Sequence, residues 1–271
     1  MTAISVELVR DLRDKTGAGM MDCKKALVKS AGDVEKAIEH LRKAGITKAD
    51  KKAGRATKEG KVVSKLTDDI AVLVEVLCET DFVAKNEKFG EFCNNLANRV
   101  ANEYQETGDI SHHVSEKEKN LTIDLIAMVG ENIQIHRALR WKCEGECASY
   151  IHTGGKIGVL IDVANESDKN FLTDLSMHIA AFSPLYVSPD SVPAKILEKE
   201  REIAAALPEL QGKPEAIIEK ILHGKIQKWY SENCLVKQHW LRDDKLSVEK
   251  AMKPAAKILK FVRWQVGEEI G

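Results

Sequence analysis

The sequence predicts an α+β chain: an N-terminal three-helix bundle, two similar antiparallel-sheet subdomains with helices, and a protruding antiparallel helical hairpin. Three observations carry this. Ile70-Ala71-Val72-Leu73-Val74-Glu75-Val76 has a near copy 87 positions on, Ile157-Gly158-Val159-Leu160-Ile161-Asp162-Val163, with branched residues at every second position and an acid at the same place. Each of these strand-like runs leads to a helical pattern. Three short helical stripes precede the first run, and two helical arms interrupt the second repeat.

The opening stripes are Val6, Leu8, Val9, Leu12, then Met20, Cys23, Ala26, Leu27, then Val34, Ala37, Ile38, Leu41. Asp33 is placed to cap the third helix and Gly45 to end it. These helices give a unit over 1–47, and the lysine-rich stretch 48–60 reads as a solvated basic linker.

The first subdomain spans 61–142. Thr67-Asp68-Asp69 is a hairpin turn signal between Val62-Val63-Ser64-Lys65-Leu66 and the 70–77 strand. A Phe92, Leu96, Val100 helix follows, then a polar stretch through His112-His113. Next comes a helix with Leu121, Leu125, Ile126 and Val129, which Gly130 closes before a strand with Ile133, Ile135, Arg137 and Leu139.

The second subdomain takes 143–188 and 231–271. It turns at Thr153-Gly154-Gly155-Lys156, continues through the 157–163 strand and reaches a Phe171, Leu175, Ile179 helix. Residues 189–230 hold the arms, with Val192, Ile196, Ile203, Leu207 and Ile217, Ile221, Leu222, Ile226. They join through Pro208-Glu209-Leu210-Gln211-Gly212-Lys213-Pro214, whose proline and glycine favour a turn. A strand at Cys234–Leu241, a helix through Val248, Ala251, Met252, Ala255, Ala256 and Leu259, and a strand over 261–266 complete the pattern.

Sixteen positions separate Val76 from Phe92 in the first copy, and eight separate Val163 from Phe171 in the second. The first connection is eight residues longer, and Cys78-Glu79-Thr80-Asp81-Phe82-Val83-Ala84-Lys85-Asn86 lies within it. On residue types alone, Asp81-Phe82 reads as a turn acid followed by a core aromatic, and the unequal length of the two connections weighs against that reading.

Bulk composition narrows the function. Of 271 residues, 41 are basic and 42 acidic, so no overall field marks a nucleic-acid or anionic-membrane binder. No apolar run approaches the ~18 residues of a membrane span, and the first residues hold no signal-peptide core, which predicts a cytoplasmic chain. Six cysteines in a charge-rich chain of this size read as reduced thiols.

Candidate chemical motifs dissolve on inspection. Gly17-Ala18-Gly19 follows a helix and lacks the third glycine of a dinucleotide turn. Gly154-Gly155-Lys156 lacks the upstream glycine of a phosphate loop and has Ile157 where a Ser or Thr belongs. Cys143-Glu144-Gly145-Glu146-Cys147, with His112, His113 or His152, lacks the second cysteine pair of a metal site. No nucleophile, base and orienting group can be assembled. Lys48, Lys51, Lys52 and Arg55 have no interleaved aromatics for RNA. Met20 continues the Cys23, Leu27 stripe as core filler, whereas Met21 shares its side with Lys24 and Lys25 and suits a partner surface.

Leu8-Val9-Arg10-Asp11-Leu12-Arg13-Asp14-Lys15-Thr16-Gly17-Ala18-Gly19-Met20-Met21-Asp22-Cys23-Lys24-Lys25-Ala26-Leu27 resembles the N-terminal signature of the bacterial elongation factor Ts family. Glu79 to Lys85 resembles its second signature, and Gly130-Glu131-Asn132-Ile133 and His152 to Leu160 resemble two further segments. The match extends to Val266-Gly267-Glu268-Glu269-Ile270; many members continue into another helix, whereas this sequence ends at Gly271.

The resemblance implies a UBA-like N-terminal domain and guanine-nucleotide exchange on elongation factor Tu, without catalysis, cofactor, metal or direct nucleotide binding. It implies that Asp81 and Phe82 form a wedge, flanked by Thr80, Val83, Ala84 and Lys85, entering the GTPase near its magnesium. It places Met20, Met21, Lys24, Val129, Gly130, His152 and, on a looser local match, Leu241 against the same partner. A nonexchanging scaffold or chaperone is the alternative.

Overall fold

The structure, a computed structural model, describes residues 4–210 and 213–269. Gln211-Gly212 of the predicted joint between the arms, Met1–Ala3, Ile270, Gly271 and the side chains of Lys48 and Glu209 lie outside the described residues. The rest is a mixture of helices and antiparallel sheets, an α+β chain, in two compact units. The first comprises the described residues of Met1–Trp141, Thr153–Ile157 and Gln265–Gly271, and the second Lys142–His152 and Gly158–Trp264.

In the first unit α1 (Val6–Thr16), α2 (Met20–Lys29) and α3 (Val34–Lys52) enclose a core of Leu12, Cys23, Leu27 and Ala37. Ser5 caps α1 by accepting from Leu8 N–H, and Asp33 caps α3 by accepting from Lys36 N–H. Gly17 ends α1 with φ 66°, a conformation glycine adopts without steric cost. The predicted stop at Gly45 does not occur. Helix α3 runs on to Lys52, through much of the expected linker, with Gly45 in helical backbone facing α7 (Lys119–Val129). A Cβ there would touch Ala127 Cβ at 3.5 Å and Ile123 Cγ2 at 3.6 Å.

Strands β1 (Glu59–Leu66) and β2 (Ile70–Cys78) form the predicted hairpin, Lys61 opposite Val76 and Leu66 opposite Ala71. All of β2 is buried, since it lies between β1 and β4 (Ile133–Lys142) with α5 (Glu87–Glu103) packed on the sheet. Val72, Val74 and Val76 share a core with Phe89, Cys93 and Leu96 of α5. A one-turn helix, α4 (Asp81–Ala84), links β2 to α5. The stretch read as merely polar forms β3 (Gly108–Asp109) and α6 (Ser111–Lys117), and Gly130 closes α7 at φ 84°.

In the second unit β5 (Glu146–Ile151), β6 (Ile157–Ala164) and β9 (Lys257–Gln265) form a sheet in that order, with α8 (Lys169–Phe182) contacting β5. Asp168 caps α8. Helices α9 (Ala194–Ala205) and α10 (Glu215–Asn233) pack together through a thin apolar seam in which Ala204 and Ile226 are buried. Leu185 and Tyr186 N–H both donate to Asn233 O, and Leu235 N–H donates to Tyr186 O, so the chain leaves and re-enters at one point.

The end of the chain departs from the pattern reading. The expected strand from Cys234 is a tight turn over Leu235–Lys237 and a short β7 (His239–Trp240), paired with β8 (Asp243–Ser247). The expected helix stops as α11 (Val248–Ala251). Pro254 has no N–H to continue the ladder and its ring would clash with the Lys250 carbonyl in a continuing helix, so the helix ends before it, with Met252 already extended.

The acids at matching places in the two repeats have matching roles. Glu75 is fully buried, bonded to Arg137 Nε at 2.6 Å and His136 Nδ1 at 2.7 Å, and accepts Gly267 N–H at 2.9 Å. Asp162, also fully buried, accepts the N–H groups of Glu144 and Gly145 at 3.0 and 2.9 Å. Arg137 further reaches Glu268 and Gln265 O, and Val266 N–H donates to Lys156 O. These bonds explain why 153–157 and 265–269, read as part of the second subdomain, cluster with the first unit.

Candidate functional site

The turn after β2 follows from local chemistry. Thr80 is extended at φ −126° and its hydroxyl accepts from Val83 N–H, starting α4; Asn86 accepts from Lys88 N–H, starting α5. Two caps six residues apart leave room for one helical turn between them. Ala84 is buried and Val83 packs on the Phe89, Leu96 core, which fixes the inner face of that turn. Phe82 falls on the other face and is 81% exposed. It is not the core aromatic that residue type alone suggested.

Asp81 faces solvent with it. Lys85 Nζ lies 2.7 Å from Asp81 Oδ2, and this hydrogen bond holds the carboxyl below the ordinary carboxylate range. Asp81 is therefore an anion at neutral pH. The Cys78 thiol beneath is pushed up to about 12, chiefly by burial, so it offers no thiolate to the site.

The base of the turn is clamped from another segment. Thr80 gives its N–H to Glu131 Oε2 at 3.0 Å and its hydroxyl to Glu131 Oε1 at 2.6 Å, while Asn132 N–H donates to Glu79 Oε1 at 2.6 Å. Asn132 is buried and gives its side-chain amide to Arg55 O at 3.0 Å; Lys52 Nζ reaches Gly130 O at 2.6 Å. Gly130-Glu131-Asn132 thus sits under Glu79-Thr80. Sequence reading matched these segments separately and gave no positioning role to Glu131, Asn132 or Lys52. Arg55, weighed for RNA, instead approaches Glu79 at 3.4 Å.

The remaining predicted residues divide between the units. Met20, Met21 and Lys24 line the outer side of α2, Met21 being 63% exposed. Met20 is 37% exposed, so it is not the core filler its stripe suggested; it begins the helix, beyond the layer formed by Cys23 and Leu27. Val129 is half-buried against the first unit's core and Gly130 is exposed. His152 and Leu241 belong to the second unit. His152 is exposed with Nδ1 3.0 Å from Tyr150 Oη, and Leu241, 38% exposed, follows β7.

The Gly154-Gly155-Lys156 turn is occupied with its own contacts. Lys156 Nζ is bonded to the Glu59 carboxylate and lies 3.3 Å from Gly60 O. Among the described residues, no three His, Cys, Asp or Glu side chains converge as a metal site, and no helix is long and apolar enough to cross a membrane.

Comparison with known proteins gives the class of this α+β chain, that of the translation elongation factors. The family model described as elongation factor TS matches residues 79–268. Elongation factor Ts of Clostridium kluyveri is 42% identical, the match covering 98% of this chain and 94% of that protein. Elongation factor Ts of Protochlamydia amoebophila is 40% identical over 99% of this chain and 100% of that protein, and that of Nitratiruptor sp. 43% identical over 99% and 94%. The chain belongs to the elongation factor Ts family.

Proposed function

We propose that this chain is a guanine-nucleotide exchange factor acting in the cytoplasm on elongation factor Tu, and that Asp81 and Phe82 are the elements that open the GTPase. The observation that carries this reading is Phe82, 81% exposed on a turn pinned by Thr80–Glu131. A rigid aromatic offers a large contact area at small entropic cost, and the clamp keeps it from folding back.

The chemistry is noncovalent, and the chain is not an enzyme in the bond-making sense. Magnesium in the GTPase bridges nucleotide and protein oxygens, so displacing its surroundings weakens GDP binding. Phe82 intrudes beside that site and the Asp81 carboxylate exchanges Lys85 for donors there, with Val83 and Ala84 as the foundation. Met20, Met21 and Lys24 grip the same domain of the partner, Val129 and Gly130 abut it, and His152 and Leu241 engage a further domain. The α1–α3 unit is the UBA-like module, and α9–α10 is the projecting hairpin. By linkage, GDP weakens the factor's binding as much as the factor weakens that of GDP, so the ternary complex dissociates either way.

The test is release of fluorescent GDP from elongation factor Tu with and without this chain. Acceleration supports exchange. Binding without acceleration would replace it with a nonexchanging scaffold.

A further inference from the structure

The turn between β4 and β5 carries a pair of thiols that the exchange reading leaves unused. Cys143 and Cys147 bracket Glu144-Gly145-Glu146, both are half-exposed, and the two thiols are close enough to influence one another's protonation. The turn that brings them together is fixed from below. Asp162 holds the N–H groups of Glu144 and Gly145, and Cys147 is the β5 residue opposite Asp162 in the sheet. Gly145 presses so close to β6 that a Cβ would lie 2.4 Å from Val163 O. Lys260 Nζ spans Glu144 Oε1 at 3.0 Å and Asp162 Oδ2 at 3.4 Å, placing a cation at the same turn. The other four cysteines, Cys23, Cys78, Cys93 and Cys234, are fully buried.

We infer that Cys143 and Cys147 form a reversible redox site that a peroxide converts to an intramolecular disulfide. The Cys143 thiol loses its proton and its sulfur attacks a peroxide oxygen. The O–O bond breaks, leaving Cys143 as a sulfenic acid and the departing hydroxide, once protonated, as water. The Cys147 sulfur then attacks the Cys143 sulfur. The S–S bond forms, the S–O bond breaks, and the Cys147 proton leaves with that oxygen as a second water. Two thiols are oxidised by two electrons and one hydrogen peroxide is reduced to two waters. Burial, with the neighbouring Cys143 thiol second, pushes the Cys147 thiol up, and the first attack is accordingly assigned to Cys143 and the resolving step to Cys147.

The experiment treats the full chain with a small excess of hydrogen peroxide, alkylates it under denaturing conditions and maps the peptides. The expected product has Cys143 and Cys147 unalkylated in a segment lighter by two hydrogens, the other four cysteines alkylated, and all six alkylated again after dithiothreitol. Alkylation of both Cys143 and Cys147 while Met21 has become the sulfoxide, or links only between molecules, would overturn the proposal. In Cys147→Ser, dimedone should trap a sulfenic acid at Cys143. Trapping at Cys147 in Cys143→Ser with none at Cys143 in Cys147→Ser would overturn the order of attack.

Discussion

Thr80 gives both its backbone N–H and its hydroxyl to one carboxylate, that of Glu131, at 3.0 and 2.6 Å. The two residues are 51 positions apart, yet this pair fixes where the Asp81 turn begins and hence the direction in which Phe82 points. Glu131→Ala should destabilise the first unit by about 1.5–3 kcal/mol, the range for hydrogen bonds to a charged acceptor. Glu131→Gln, which keeps one acceptor oxygen, should cost less. Denaturant melts give the order, and GDP release should fall in the same order if the clamp aims the wedge.

Phe82→Ala should leave stability within about 0.5 kcal/mol, because an exposed side chain contributes little to the core. Exchange should suffer far more. Loss of a central aromatic anchor removes roughly 2–4 kcal/mol, or about 30-fold or more in the GDP release rate. Wild-type release by the variant would leave exchange standing and dismiss the wedge.

Gly17 and Gly130 both have positive φ, 66° and 84°, but differ in what surrounds them. Gly130→Ala meets nothing within 4 Å and should cost only the left-handed backbone strain, about 1–2 kcal/mol. Gly17→Ala would also bring its Cβ to 2.4 Å from Met128 Cε, so that side chain must move. Thermal melts should rank Gly17→Ala as the more damaging, and Met128→Ala should narrow the difference.

His178 is buried between Phe182 and Trp240, with Nε2 paired to Gln238 and Nδ1 without a hydrogen bond. Burial holds its pKa below the ordinary 6.5, so the unfolded chain takes up the proton first as pH falls. Stability is full above that ordinary value and drains away as pH drops from it toward the folded value. His178→Gln should flatten the fall in melting temperature between neutral and mildly acidic pH. An unchanged slope would remove His178 as its source.

Glu75→Gln should be among the most damaging changes in the first unit. It would remove the fully buried carboxylate that Arg137, itself nearly buried, shares with His136 and leave Arg137 the more exposed Glu268 as its anion, so the cost should approach the about 3–5 kcal/mol of breaking a buried pair from one side. Equilibrium unfolding of the variant measures this directly.

Features set by short-range chemistry were legible in the sequence: the alternation of β2 and β6, the Asp33 cap, the Thr67–Ile70 hairpin and the Gly130 helix end. The candidate site was legible only as eight extra residues and a matching signature. Its foundation, Thr80 on Glu131 and Glu79 on Asn132, joins residues more than fifty positions apart and leaves no periodic trace. The Gly45 stop failed because α3 packs on α7 over that stretch, a tertiary contact that outweighs the weak helix propensity of one glycine and that the local sequence does not display. The last predicted helix failed for the opposite reason: its apolar spacing was sound, but Pro254 outweighed it.

Phe82 keeps most of an aromatic ring in water on the free chain, an arrangement that favours neither solubility nor stability. A laboratory screen for a better-behaved chain would therefore strike this position early, replacing the ring with something polar. Under the exchange reading, such a variant would purify well, melt normally and leave GDP where it found it. Any stabilisation campaign on this molecule should score nucleotide release alongside yield from the first round.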